Sequence, residues 1–485
     1  MRQYIITFCL LSVFAGCIHT KEFNVLNYGA IASKTVLSTS AIQKTIDECA
    51  SSGGGLVVVP AGEYLSSTLF LRSNVHLKLE TGATIFASEQ VADYEDAAIE
   101  HGASDAHRVN VLIAAFNCEH IKISGQGRLH GQAKREQYIR EAGFDPEELI
   151  TGREIANAAR YGADYRTKYR RVPPSPGLIN ITNCRDVVIE DIQLIESAFW
   201  TLHLQWCDRV FVRGVYITSS ETNGVNSDGL DIDGCSRVVV SDCIIDTGDD
   251  ALCLKTTDNS GESRPCEDIV ISNCILRSSS AALKIGTESY ADFRRISVSN
   301  CVINGANRGI TMIIRDGGHV WDVSFSDMII KTERKATFWW GNGDPVWLIT
   351  ANRTSDSQTG SISRVTFNNI TCTGQSGIRF EGFSSVIEDI RMSNVSLLME
   401  QEDAIDKRSR HGFHFHNLRD LAIDNCKVTW DEQKPESTWQ QAFNFDQIEN
   451  LSLNQVKAKA APGQKTAIQF SKITGELPEG YDVAP

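Results

Sequence analysis

The chain has 485 residues, 42% hydrophobic and 22% charged, an ordinary mix for a soluble protein with length enough for one large core or about three smaller ones. Its formal net charge of −14 speaks against a nucleic-acid binder, which needs a basic face. An acidic polysaccharide stays open, because a local cluster of cations can hold carboxylates against an overall repulsion.

In chain order the first feature is MRQYIITFCLLSVFAGC (1–17), with Arg2, an apolar run from Tyr4 to Ala15 and small residues before Cys17. This is the pattern of an export signal, too short to span a bilayer. Ala15-Gly16-Cys17 resembles the lipobox of bacterial lipoproteins, in which the cysteine is acylated and becomes the mature N-terminus. The expectation is an exported protein, in the periplasm or at the outer membrane or cell surface, touching membrane only through a lipid on Cys17; plain secretion is the alternative. No later stretch is long and apolar enough to cross a bilayer.

Residues 40–50 then show helical spacing (Ile42, Ile46, Cys49), Gly53-Gly54-Gly55 ends the helix, and Leu56 to Val59 reads as a strand. Beyond it one phrase recurs: CEHIKIS, CRDVVIE, CDRVFVR, CSRVVVS, CEDIVIS, FRRISVS, VWDVSFS, ISRVTFN, IEDIRMS, LRDLAID and IENLSLN. The phrases centre on Ile121, Val187, Val210, Val238, Ile269, Ile296, Val323, Val365, Ile390, Leu421 and Leu451. Most steps between centres lie in the twenties to low thirties, the mark of stacked units. Three residues before each centre stands an apolar residue or cysteine (Cys118, Cys184, Cys207, Cys235, Cys266, then Phe293 onward), and five residues after, from the second phrase on, another (Cys243, Cys274, Cys301 and Cys426 among Ile, Val and Met). Such columns predict an all-β parallel β-helix over 22–480, one domain, in which equivalent residues pile into interior ladders and the 40–50 helix caps the open end. Once Cys9 and Cys17 are set aside with the signal, nine of the twelve remaining cysteines fall in these columns as small buried hydrophobes, so no disulfide framework is expected. Segments near 88–109, 132–176, 331–360, 399–411 and 430–442 break the coil length and read as surface insertions.

Within 226–256, NSDGLDIDGCSRVVVSDCIIDTGDDALCLKT, Asp228 and the pair Asp249-Asp250 each precede an alternating strand. Stacking Leu230 on Leu252 and Leu283, and Ile232 on Leu254 and Ile285, turns Asp231, Cys253 and Lys284 outward and sets Asp228 over Asp250 with Asp249 beside them. Three carboxylates this close cannot all ionise cheaply, which is the condition for acid/base chemistry; the plainer alternative is that these are turn residues.

GLVVVPAGEYL, ISGQGRLHGQ (123–132), FWTLH (199–203), NSDGLDID (226–233) and TGDDALCLK (247–255) resemble the polygalacturonase family, glycoside hydrolase family 28. The resemblance implies a right-handed parallel β-helix, inverting hydrolysis of a galacturonate-containing (pectic) polysaccharide or oligosaccharide, and no metal or cofactor. Asp249 matches the general acid, Asp228 and Asp250 the pair that activates water, and Asn226 and His203 border the cleft. The family's Gly-His-Gly aligns with Ser280-Ala281-Ala282 and its Arg-Ile-Lys with Thr311-Met312-Ile313, so two substrate-binding elements are missing. Lys284 and Arg315 are the candidate replacement cations for a uronate carboxylate; Lys284 could instead pair with Asp231, and Lys255 is expected to pair with Asp233. Trp339, Trp340 and Trp347, with the insertion 132–176 and its Tyr161, Tyr165 and Tyr169, could wall the cleft and favour exo-action. A rhamnogalacturonan or other branched-pectin glycosidase, a pectate-lyase-type enzyme using calcium on Asp249 and Asp250, and a non-catalytic carbohydrate-binding β-helix are the alternatives.

Overall fold

The computed structural model describes residues 21–94, 110–133, 176–219, 226–335, 340–404 and 407–476, and the backbone of four short strands at Ile99–Glu100, Arg108–Val109, Tyr138–Arg140 and Tyr169–Arg171. The signal segment with Cys17, Trp339, Tyr161, Tyr165 and most of the insertion 132–176 lie outside the described residues. Among the described residues no helix is long and apolar enough to cross a membrane.

Thirty-five strands form one wound parallel sheet. The eleven phrase centres pair in the expected register, Ile121 with Val187, Val187 with Val210, and so on to Leu421 with Leu451. Two further stacks complete each coil. One contains Arg128–His130, Gln193–Ile195, Tyr216–Thr218 and Ile244–Thr247; the other contains Leu202–Gln205, Leu230–Asp233, Leu252–Thr256, Ala281–Ser289 and Arg308–Ile314. This last stack carries the carboxylates.

The coil turns at two fixed places, which the phrase encodes. The residue before each centre (five Asp, four Arg, one Asn and one His) and seven of the residues four after it (Asp191, Asp242, Asn273, Asn300, Asp327, Asn369, Asn394) have φ between 49° and 58°. Asp and Asn tolerate this left-handed region, where their short polar side chains bond locally. The Asn side chains also bond coil to coil, as Asn300 Nδ2 to Asn273 Oδ1 at 2.7 Å and Asn273 Nδ2 to Asp242 Oδ1 at 3.2 Å.

Inside, the columns pack as expected. All twelve cysteines from Cys49 to Cys426 are buried and free, with the backbone N–H of Cys118 donating to Cys184 Sγ and that of Cys207 to Cys235 Sγ. Toward the C-terminus phenyl rings replace thiols: Phe325 stacks on Phe367 at 5.2 Å, Phe413 on Phe443 at 4.7 Å and Phe415 on Phe445 at 5.3 Å. The helix, Thr39–Ser51, buries Ile42, Ile46 and Cys49.

Candidate active site

Asp228 lies two residues before the strand Leu230–Asp233, and Asp250 two residues before Leu252–Thr256. Leu230 pairs with Leu252, so the two aspartates stand one above the other at the mouth of the stack. The backbone ladder runs on into this turn: Gly229 N donates to Asp250 O at 2.8 Å and Ala251 N to Ala281 O at 2.9 Å. Gly229 is required there, because a Cβ would lie 2.4 Å from Ala251 O and 2.5 Å from an Ile245 methyl. Asp249 is fixed by its own backbone: the hydroxyls of Thr247 and Ser278 donate to its carbonyl at 2.8 and 2.6 Å, and Asp250 N donates to its Oδ1 at 2.8 Å.

The three carboxylates offer oxygens that all lie within 4.8 Å of one another. Asp228 and Asp250 are buried, each 2% exposed, and Asp249 is half-buried. Their surroundings divide them. Asp250 is held well below the usual carboxylate range: burial pushes it up, but Lys284, Arg308 and Lys255 outweigh burial. Lys284 Nζ is 2.5 Å from Asp250 Oδ2, while Ser280 Oγ and Ala281 N donate to Oδ1 at 2.7 and 3.0 Å. Asp249 is pushed well above the usual range by burial and by the charges of Asp228 and Asp250. Asp228 is pushed up to about 6, chiefly by burial, against the pull of Lys255. One site thus holds a carboxyl pushed up beside one held down, the arrangement that separates acid from base.

Lys255 departs from expectation. Its Nζ sits 2.9 Å from Asp228 Oδ2 and 3.1 Å from Asp231 Oδ1, over the Trp200 ring at 3.4 Å. The strand register does set it beside Asp233, but Asp233 is bound instead by His203 Nε2 at 3.2 Å and by Thr257 N at 2.8 Å. The long lysine stem therefore reaches back to the denser negative charge. Lys284 likewise pairs with Asp250 and not with Asp231. Asp231 keeps only the shared Lys255 contact on its Oδ1, and burial pushes it well above the usual range.

The structure brings the three aspartates and Lys284 together, with His203 in the wall behind. His203 is 2% exposed, accepts or donates at Asn180 (2.9 Å) and Asp233, and meets Trp200 edge-on at 4.9 Å. Asn226 is half-buried two residues ahead of Asp228. Arg315 is placed elsewhere: its guanidinium donates to the carbonyls of Asn352 and Arg353 at 3.0 and 3.1 Å and lies 5.9 Å from the Trp340 ring. Trp340 is 40% exposed, whereas Trp347 is buried, with Nε1 donating to Glu381 at 2.7 Å and Arg379 stacked on its ring. Trp347 is thus a structural residue and not a sugar platform.

Sequence reasoning missed Arg308. It precedes Ile310 by two residues, the offset of Asp228 from Leu230 and of Asp250 from Leu252, so the column count alone could have placed it here.

A β-helix with recessed carboxylates braced by lysines and an arginine is a scaffold equipped for acid/base chemistry. The model of glycosyl hydrolases family 28 matches residues 49–412, and the chain belongs to that family. It is 26% identical over 315 residues to the exo-poly-alpha-D-galacturonosidase of Dickeya chrysanthemi, covering 60% of this chain and 51% of that one. It is 25% identical over 341 residues to a probable polygalacturonase of Vitis vinifera, covering 66% and 62%. The chain thus spans about half to three fifths of the length of these relatives. Among solved structures, an exopolygalacturonase from Thermotoga maritima superposes with a TM-score of 0.66 at 21% identity, over 84% of this chain and 92% of that one, and shares the fold.

Proposed function

We propose that the chain is an exo-acting glycoside hydrolase of galacturonate-containing glycans. Asp249 protonates the leaving oxygen, and Asp228 and Asp250 deprotonate the attacking water. The observation that carries this is the clustering of three carboxyls with oxygens within 4.8 Å of one another, in surroundings that push Asp249 up and hold Asp250 down. The relatives named above supply the substrate class. Exo-action is supported by the depth of Asp228 and Asp250 and by the exo-acting relative named above, and inversion by the family. The carboxylate spacing is shorter than the roughly 6.5–9.5 Å usual for inversion, so the anomer of the first product is the deciding measurement.

Lyase chemistry through calcium is disfavoured by the donor set, because lysine ammonium groups already occupy Asp228 Oδ2 and Asp250 Oδ2. A second substrate, with a neutral sugar at the scissile bond as in rhamnogalacturonan, is favoured by one observation. Where the family carries Arg and Lys, this chain has Thr311 and Ile313, 0% and 2% exposed, and the Thr311 hydroxyl has no partner among the described residues.

The test is digestion of defined oligogalacturonides and rhamnogalacturonan oligosaccharides, followed for product length and anomer. Monosaccharide release from one chain end supports the proposal. An unsaturated product, or no cleavage of any of them by a folded enzyme, overturns it.

A further inference from the structure

Arg308 is 3% exposed and is committed to the carboxylate cluster in a way that packing does not require. The strand register pairs Ala281 with Arg308 and Arg308 with Asp344, so Arg308 has a carboxylate within reach on either side, one coil up or two coils down. Asp344 is taken. Arg379 holds both its oxygens, Nε to Oδ1 at 2.9 Å and Nη2 to Oδ2 at 3.0 Å, and Asn342 N adds a third bond at 2.9 Å. Arg308 turns the other way, across Ala281, where a methyl group leaves room. Its Nη2 donates to Ser280 Oγ at 2.5 Å and lies 3.5 Å from Asp250 Oδ1, and Ser280 Oγ passes the contact on to that same oxygen at 2.7 Å. The turn Trp340-Gly341-Asn342-Gly343 closes over the arginine stem. A Cβ on Gly341 would meet Arg308 Cγ at 2.8 Å, and Asn307 Nδ2 pins the turn by donating to Trp340 O at 2.8 Å. Arg308 Nε stays buried without a hydrogen-bond partner among the described residues.

We propose that Arg308 is the positioning residue for Asp250: reaching through the gap at Ala281, it fixes the rotamer of Asp250 through Ser280 and supplies the second cation, beside Lys284, that keeps Asp250 ionised when the water is deprotonated. This explains how the chain works with Ala281 where its family has histidine, and gives the 340–343 turn a purpose as the cover that holds the guanidinium. The proposal rests on the acid/base assignment above.

The groups facing Asp250 are Lys284, Arg308, Lys255, Asp228, Asp249, Asp231 and Cys253, so removing one cation shifts the proton affinity of the Asp228–Asp250 pair upward. In the full chain, Arg308→Met is expected to lower kcat on oligogalacturonides about 10–100-fold, with KM changed less. The acid limb of kcat/KM should move up by at least half a pH unit, and Arg308→Lys should restore the limb while recovering only part of the rate, because a lysine supplies the charge without the fork. Ser280→Ala, a smaller change, should move the limb in the same direction by less and serves if Arg308→Met fails to fold. An infrared carboxylate titration of the same variants, needing no substrate, reads the same shift directly. Limbs and carboxylate titrations that superimpose on wild type, with only the unfolding temperature lowered, overturn the proposal and leave Arg308 structural. Asp249→Asn assayed alongside separates the two levels. If it abolishes cleavage while Arg308→Met leaves the profile alone, only the present proposal fails; if Asp249→Asn is fully active, the acid/base assignment fails with it.

Discussion

Two parts of one sheet carry ionisable groups in the same outward columns, and they behave oppositely. In the coils of residues 226–285 the column through Asp231, Cys253 and Lys284 runs beside carboxyls of which three, Asp228, Asp231 and Asp249, are pushed up. Farther along, the same columns continue through Trp347, Arg379 and His414, and through Glu381, His416 and Asp446. There every charge meets a partner: Arg379 with Asp344 and Glu381, and His416 with Asp446 at 2.9 Å. Asp344, 0% exposed, is held below the usual range, burial being outweighed by Arg379. Asp344 is as buried as Asp228 and Asp250, so burial alone does not make a site. What differs is the count of carboxylates against cations, and the surplus of carboxylates marks where protons can move.

The sharpest way to break this comparison is Asp249→Asn. Loss of the proton donor is expected to lower kcat by about 10²–10⁴-fold in a protein that still folds, measured by reducing-end release. The same variant should be more stable than wild type at neutral pH. Because the folded-state pKa of Asp249 lies above its unfolded value, ionisation costs stability as pH rises past the unfolded value, and Asn removes that cost. The gain should read as a rise of about 2 °C in Tm at pH 7–8 that vanishes in acid, where both states are protonated. A wild-type rate would remove the distinction between the two regions.

Arg379→Met tests the other side. It leaves Asp344 buried and unpaired, so a loss of about 3–5 kcal/mol of stability is expected, visible as a lowered denaturant midpoint. The kcat of the surviving folded protein should fall less than that of Arg308→Met, since Asp344, once released, competes for Arg308 across the register. A large rate loss at full stability would mean that the balanced region is functional too.

A third effect is smaller and concerns pH alone. If Asp228 must be ionised to take a proton from water, kcat/KM should rise with pH through an apparent value near its own pKa of about 6. Lys255→Met, removing the cation that lowers that value, should carry the rise to higher pH by about one unit. An unmoved limb would show that another group sets it.

Much of this was legible in the sequence, and the reason is geometric. A parallel stack repeats its environment every coil, so the offset of a residue from the nearest column centre fixes its face; that is why Leu230, Leu252 and Leu283 were placed correctly and the three aspartates with them. Offsets carry no information on where a long side chain bends once outside the sheet. Lys255 and Lys284 were assigned to the correct face, yet their partners were not, because each stem spans more than one rung and swings to the strongest local field. Arg315 has the outward parity of Thr311 and Ile313, but it stands past the end of the strand Arg308–Ile314, and its guanidinium donates to the carbonyls of Asn352 and Arg353. Arg308 is legible only from its column, two residues before Ile310, because it belongs to no family motif.

The least disruptive change is predicted where the two regions share a role, in the interior. Cys243, Cys274 and Cys301 stack in the column that Ile, Val and Met fill elsewhere, each 1% exposed. If they act only as small hydrophobes, Cys274→Val exchanges one buried group for another of similar volume and should change stability by less than about 1.5 kcal/mol, with kcat unchanged. Their thiols should also resist a water-soluble thiol reagent until the chain unfolds, since burial denies the reagent access. Cys274→Ser sharpens the point: it keeps the size and swaps in a hydroxyl whose only near acceptors are already bonded in the sheet, so it should cost more than the valine. Equal cost for serine and valine would mean that the column tolerates polarity, and that the absence of charge from the interior, in both regions, reflects something other than the penalty for burying an unmatched polar group.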